Sequence, residues 1–344
     1  MLEKILTLSP GKQKGLAAVA DHRGVIAALA IDQRSALRKL FSSASGEAAE
    51  NVSADLIIRF KEAVSRILTP YASAILLDPE FGLPAAAQRA KGTGLLLAYE
   101  KTGYDKGIYG RLPSLLDGFS VNRLRQSGAD CVKVLLYYSP FSTVEINRVK
   151  HDFVERVGAE CVAADTPFFL ELVSYHDDMD DKGGEFARIK PDSVTRSIEE
   201  FCKPGYGVDV LKVGVPVNMA FVASPNSASS AVLYSREEVK THFLRASEAA
   251  TLPLIYLSEG VSSETFGFAL ELAAEAGARF SGVLCGRATW KDGVAVFVQH
   301  GYAALQDWLQ VYGVRNIQNV NAGLADAYPW FEKFSIVPSV PGKD

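Results

Sequence analysis

Eight short apolar runs recur along the chain, at residues 25–32, 73–78, 94–99, 131–137, 167–173, 210–215, 254–258 and 280–285. Most are nearly continuous in hydrophobicity, which is how a parallel strand covered on both faces reads. Longer amphipathic stretches separate them, so short and long elements alternate as repeated βα units do. Several of the long stretches carry helix punctuation. Ser53 precedes Leu56, Ile57, Phe60, Val64, Ile67 and Leu68 on one helical face, and Pro70 follows them. Ser235 with Glu238 makes a capping-box pattern, residues 265–276 run on to Gly277, and residues 120–126 end near Gly128.

Eight such units predict an α/β fold, a closed (β/α)8 TIM barrel, with residues 1–344 as a single domain. No linker or shift of composition divides the chain. Two inserted segments, 176–189 and 223–230, follow strand ends, where barrel enzymes build their active-site loops. From about residue 313 a helical, aromatic tail carries Trp330, Phe331 and Phe334. It is expected to pack on the barrel or on a neighbouring subunit, and a homo-oligomer is expected.

Composition narrows the function by exclusion. A net charge of −4 leaves no basic footprint for nucleic acid. No apolar run reaches membrane-spanning length and residues 1–13 hold no secretory apolar core, so no membrane partner and a cytoplasmic location are expected. Cys131, Cys161, Cys202 and Cys285 form no C-x-x-C pair and read as buried free thiols. The five histidines have no metal-ligand spacing, and His176-Asp-Asp-Met-Asp-Asp reads as a solvated acidic insertion. The run from Gly92 lacks G-x-G-x-x-G and leads into a strand. Neither a metal nor a cofactor is expected.

The strands themselves are not wholly apolar. Lys133, Glu171 and Lys212 each interrupt one, while Asp32 and Asp78 each end one. A buried unpaired charge is costly, so each needs a reason. Structural ion pairs that set barrel register are one reason, but buried pairs barely repay their desolvation. Chemistry is the other. A lysine amine kept uncharged by a second ammonium and by desolvation can attack a ketone. The iminium so formed draws electrons from the adjacent C–C bond, and a carboxylate moves the protons. Lys212, Lys133, Glu171 and Asp32 are the residue types that this route requires. Near the end of the chain, Tyr256-Leu-Ser-Glu-Gly-Val and Leu284-Cys-Gly-Arg-Ala-Thr-Trp place a Ser hydroxyl, Gly N–H groups and an Arg after the seventh and eighth strands. Barrels build phosphate sites from such residues at that place.

At these residues the chain resembles the class I tagatose-1,6-bisphosphate aldolases of the LacD type, over about residues 25–290. The likeness is carried by Ala30-Ile-Asp-Gln-Arg-Ser-Ala-Leu, Leu76-Leu-Asp-Pro-Glu-Phe-Gly-Leu-Pro, Leu95-Leu-Leu-Ala-Tyr-Glu-Lys-Thr-Gly-Tyr, Pro167-Phe-Phe-Leu-Glu-Leu-Val-Ser-Tyr, Asp209-Val-Leu-Lys-Val and Pro216-Val-Asn-Met, together with the Leu284 segment above. The resemblance implies a barrel that reversibly cleaves tagatose 1,6-bisphosphate, and tolerates its stereoisomers, to give dihydroxyacetone phosphate and glyceraldehyde 3-phosphate. It makes Lys212 the Schiff-base lysine and Glu171 the general acid/base. Lys133 depresses the pKa of Lys212 and holds substrate oxygens, Asp32 and Gln33 bind hydroxyls, and Ser258, Gly286 and Arg287 hold the dihydroxyacetone-side phosphate.

Two positions depart from the family pattern. Gly214 stands where an acidic residue is usual, and Glu259 where a small one is usual. A carboxylate beside a phosphate site weakens binding unless it points away or pairs with a cation. Two other readings accompany the main one: a Schiff-base aldolase for a sulfonated ketose phosphate, and a sugar-phosphate sensor that forms no adduct.

Overall fold

All eight apolar runs form strands of one closed parallel barrel: β1 Ile26–Ala30, β2 Ala74–Leu77, β3 Gly94–Ala98, β4 Cys131–Tyr138, β5 Phe168–Ser174, β6 Val210–Gly214, β7 Leu254–Leu257 and β8 Gly282–Cys285. Strands neighbour one another in chain order, and β8 closes on β1 with Gly282 opposite Ile26 and Cys285 opposite Leu29. The structure, a computed structural model, describes residues 6–101, 109–223 and 232–335. All but the first residue of the insertion at 223–230 therefore lies outside the described residues.

The helices begin where their caps predict. Ser53 accepts from the Leu56 N–H to open Ala54–Leu68, and Pro70 lies in the short turn Thr69–Tyr71 that ends it. Ser235 and Glu238 complete a reciprocal capping box ahead of Arg236–Ala249. The helix Ser263–Glu275 runs through Ala276 to Gly277, whose positive φ of 69° suits glycine. The acidic insertion is shorter than its sequence implied. Residues 184–189 belong to the helix Gly184–Phe201, because the amphipathic pattern resumes at Phe186 and Ala187, both buried.

Helix packing secures the strand ends. Phe41, Phe60, Phe297 and Trp290 meet with ring centroids 5.6–6.2 Å apart, between the helices Ser35–Ser45, Ala54–Leu68 and Gly293–Trp308. The Trp290 indole N–H donates to the Ala30 carbonyl at 2.9 Å, fixing the end of β1 two residues before Asp32. At the opposite end of the barrel, Lys12 pairs with Asp209 at 2.7 Å, and Asp209 also accepts from the Phe168 N–H. The tail packs at this end too. Tyr328 N–H bonds the Phe280 carbonyl, Trp330 N–H bonds the Gly24 carbonyl, and the Trp330 and Phe334 side chains are buried. Strand Phe334–Ser335 then pairs in parallel with Leu6–Thr7. All four cysteines are free; Cys131, Cys161 and Cys285 are buried, whereas Cys202, just past the helix Gly184–Phe201, is half-exposed.

Candidate active site

Side chains alternate across a strand, so the face that a charge shares is fixed by register. Glu171 on β5 lies directly opposite Lys212 on β6, and one Glu171 Oε is 2.9 Å from the Lys212 Nζ. Lys133 on β4 is opposite Phe169, one pleat or about 6.6 Å below the level of Glu171. Its side chain spans that step. The Lys133 Nζ then meets three carboxylates at 2.8 Å each: Asp32 after β1, Glu100 after β3, and Glu171. Four strands thus converge on a single ammonium, and Glu171 bridges it to Lys212.

Burial and charge act against each other at every member. Burial would raise the Asp32 carboxyl, but Lys133 and Lys212 outweigh it and hold the group well below the usual carboxylate range. Glu171 follows the same balance, with burial opposed by the same two lysines and a lowered pKa as the result. Glu100 goes the other way. Burial dominates there, Lys133 offsets only part of it, and the neighbouring Asp32 charge adds to the rise. Burial alone would neutralise Lys133, yet Asp32, Glu100 and Glu171 raise its pKa well above that of a free lysine. Lys133 is therefore a fixed cation whose charge is answered by carboxylates, not a bare ammonium facing Lys212. Relative exposure climbs from 0% at Lys133 through 3% at Lys212 and 6% at Glu171 to 9% at Asp32, so the cluster opens toward the Asp32 side.

The phosphate-type residues lie on the adjoining strand ends. Ser258 follows β7 and is buried beside the Cys285 thiol at the end of β8. Burial pushes that thiol up to about 12, with Ser258 and Lys212 pulling it back. Gly286 passes so close to β1 that an added Cβ would lie 2.5 Å from the Ala30 carbonyl oxygen. Arg287, half-buried, crosses Gly260, where an added Cβ would be 2.9 Å from the guanidinium carbon. Glu259, next to Ser258, pairs with Lys190 at 2.5 Å. Pairing with a cation is one of the two conditions under which a carboxylate is tolerated beside a phosphate.

Gln33 is half-buried next to Asp32, and its Oε1 is buried with no hydrogen-bond partner among the described residues. Asp78, by contrast, lies outside the cluster. It pairs with the fully buried Lys61, whose Nζ also donates to the Ile31 carbonyl at 2.9 Å, so this pair braces the backbone beside Asp32. Sequence reasoning missed Glu100, Arg34 and Lys190. Glu100 follows the third apolar run by one residue, and Arg34 follows Gln33; adjacency was the available signal for both. Arg34 donates to the Glu100 carbonyl at 2.7 Å and pairs with Glu80 at 2.6 Å. Lys190 sits mid-helix with nothing in its neighbours to mark it.

Known proteins are similar to this chain over nearly all of its length. The family model described as DeoC/LacD family aldolase matches residues 26–292. The chain is 51% identical over 334 residues to tagatose 1,6-diphosphate aldolase 2 of Enterococcus faecalis, covering 96% of this chain and 99% of that one. It is 46% identical over 332 residues to tagatose 1,6-diphosphate aldolase of Listeria monocytogenes, covering 96% of each. Among solved structures, fructose-bisphosphate aldolase from Plasmodium falciparum shares the fold with a TM-score of 0.67 at 14% identity, over 94% of this chain and 97% of that one.

Proposed function

The chain belongs to the DeoC/LacD family of aldolases, and from that premise we propose that it reversibly cleaves D-tagatose 1,6-bisphosphate through a Schiff base on Lys212. The products are dihydroxyacetone phosphate and D-glyceraldehyde 3-phosphate. The observation that carries the proposal is the Lys212–Glu171 contact of 2.9 Å inside a charged cluster that the barrel closes around. Stability alone accounts poorly for five buried titratable groups meeting inside a barrel, since desolvation consumes most of what ion pairs return.

The Lys212 amine adds to the C2 carbonyl, and Glu171 is within reach to take and return the protons of addition and of water loss. The iminium then accepts the C3–C4 bonding electrons as the C4 hydroxyl gives up its proton, and glyceraldehyde 3-phosphate leaves. The enamine left behind is protonated at C3, and water releases dihydroxyacetone phosphate and the free amine. Lys133 holds Glu171 and Asp32 in place, so the proton-transfer group keeps its geometry through the cycle. Asp32 and the unpartnered Gln33 amide oxygen accept from substrate hydroxyls. Arg287, Ser258 and the Gly286 N–H hold the phosphate at C1.

Borohydride reduction in the presence of dihydroxyacetone phosphate tests this. A Schiff base is trapped as a stable secondary amine, and the added mass is expected on the peptide containing Lys212. Lys212→Met should lose both the adduct and turnover while remaining folded. An adduct on Lys133 instead, or turnover by the Lys212→Met protein, overturns the assignment.

A further inference from the structure

Glu259 has three properties that a loop carboxylate rarely combines. Its backbone adopts a positive φ of 51°, a region that favours glycine. Its carboxylate is paired at 2.5 Å with Lys190, a buried lysine on the helix Gly184–Phe201 whose amine also reaches the Val217 carbonyl. Its carboxyl group fills the space that a side chain at position 214 would occupy: a Cβ built on Gly214 meets the Glu259 Oε1 and lies 2.8 Å from the carboxyl carbon.

The third property gives the other two a direction. Gly214 lies two residues beyond Lys212 on β6, so the two share a face, and that face carries the Lys212 amine toward Glu171. The Glu259 carboxylate is therefore seated one pleat above Lys212, inside the wall from which the amine projects. It does not lie on the outer surface of the loop. About a third of the side chain remains accessible. Ionised Glu259 offers only acceptors, Lys190 offers only donors, and the pair is neutral as a whole. A neutral donor–acceptor pair gives little purchase on a phosphate, but it suits hydroxyl groups, which both give and accept hydrogen bonds.

We propose that the Lys190–Glu259 pair, seated over Gly214, reads the hydroxyl configuration of the ketose and sets which stereoisomer is cleaved. This rests on the aldolase reading above, and it makes Glu259 a specificity-determining residue, separate from the groups that perform the chemistry. A site built to bond a hydroxyl discriminates through the bond that the wrong isomer cannot make. A charge-assisted hydrogen bond accounts for roughly a tenfold to hundredfold preference.

The test compares kcat/KM for D-tagatose and D-fructose 1,6-bisphosphates, which differ only at C4, in the full-length protein and two variants. Glu259→Gln keeps the shape and removes the charge. Gly214→Ala keeps the charge and displaces the carboxyl group. Both are expected to shift the isomer ratio by about tenfold or more, while borohydride trapping of dihydroxyacetone phosphate on Lys212 stays at the wild-type level, because that molecule lacks C4. An isomer ratio unchanged in Glu259→Gln, with the adduct still trapped on Lys212, overturns this inference alone and leaves Glu259 a loop brace. Failure of the wild-type protein to trap any adduct on Lys212 overturns the aldolase reading and this inference with it.

Discussion

Replacing Lys133 with Met removes the ammonium and keeps much of the side-chain volume. Three carboxylates at 2.8 Å then lose their common partner in a site where Lys133 itself is fully buried. Breaking a buried pair costs about 3–5 kcal/mol, and three contacts to one nitrogen are not additive, so the same range bounds the cluster. The carboxyl groups can escape part of that cost by taking up protons, and this gives the prediction its pH dependence. In the wild type, Asp32 and Glu171 sit below their ordinary values, so their stabilising share is complete above the unfolded-state pKa and is lost only as pH falls through the lower folded values. In Lys133→Met, burial is left opposed by Lys212 and Lys61 at Asp32, by Lys212 at Glu171 and by Arg34 at Glu100. Folded-state values then rise above the unfolded ones, with Glu100, already raised, going furthest. Stability is then retained below the unfolded pKa and lost as pH climbs through the folded value. Urea unfolding at two pH values measures this. The variant is expected to lose about 3–5 kcal/mol at pH ~8.5. The loss should be smaller at pH ~5.5 by at least about 1.4 kcal/mol, the equivalent of one pKa unit. A loss under about 1 kcal/mol at the higher pH, or one that does not change with pH, refutes the picture of a carboxylate-neutralised hub.

Glu171→Gln is expected to lower kcat by about 10²–10⁴, the usual span for losing a general acid/base; unaltered single-turnover cleavage would remove Glu171 from the mechanism. Arg287→Ala should raise KM for the bisphosphate roughly tenfold to a hundredfold and leave cleavage of an unphosphorylated ketose at its wild-type rate, as steady-state kinetics on both substrates would reveal. For Asp78→Asn, which strands the buried Lys61 charge, a stability loss of about 3–5 kcal/mol is expected in urea titrations, with the borohydride adduct still forming on Lys212.

The barrel and its charged strands were legible because both signals are local. A strand buried on two faces reads as a continuous apolar run, and a lysine inside such a run announces itself; Lys133, Glu171 and Lys212 were found that way. Glu100 was not, because it follows its strand and acquires meaning only from Lys133, 33 positions later and one strand over. The relation between Gly214 and Glu259 was equally hidden. Each was visible as an oddity, but that one side chain fills the vacancy at the other depends on how β6 and β7 lie side by side. The mistaken length of the acidic loop has a simpler origin. Glycines at 183 and 184 suggested continuing irregular chain, whereas Gly183 is the N-cap of the following helix.

The Trp290 indole, buried and bonded to the Ala30 carbonyl, gives the molecule a built-in optical reporter. Its ring is tethered to the backbone that leads into Asp32, so a displacement of that segment when a sugar docks must alter the environment of the indole. The chain has only two other tryptophans, Trp308 and Trp330. Replacing both with Phe would leave an emission signal dominated by this one position, from which occupancy could be followed in real time without any label.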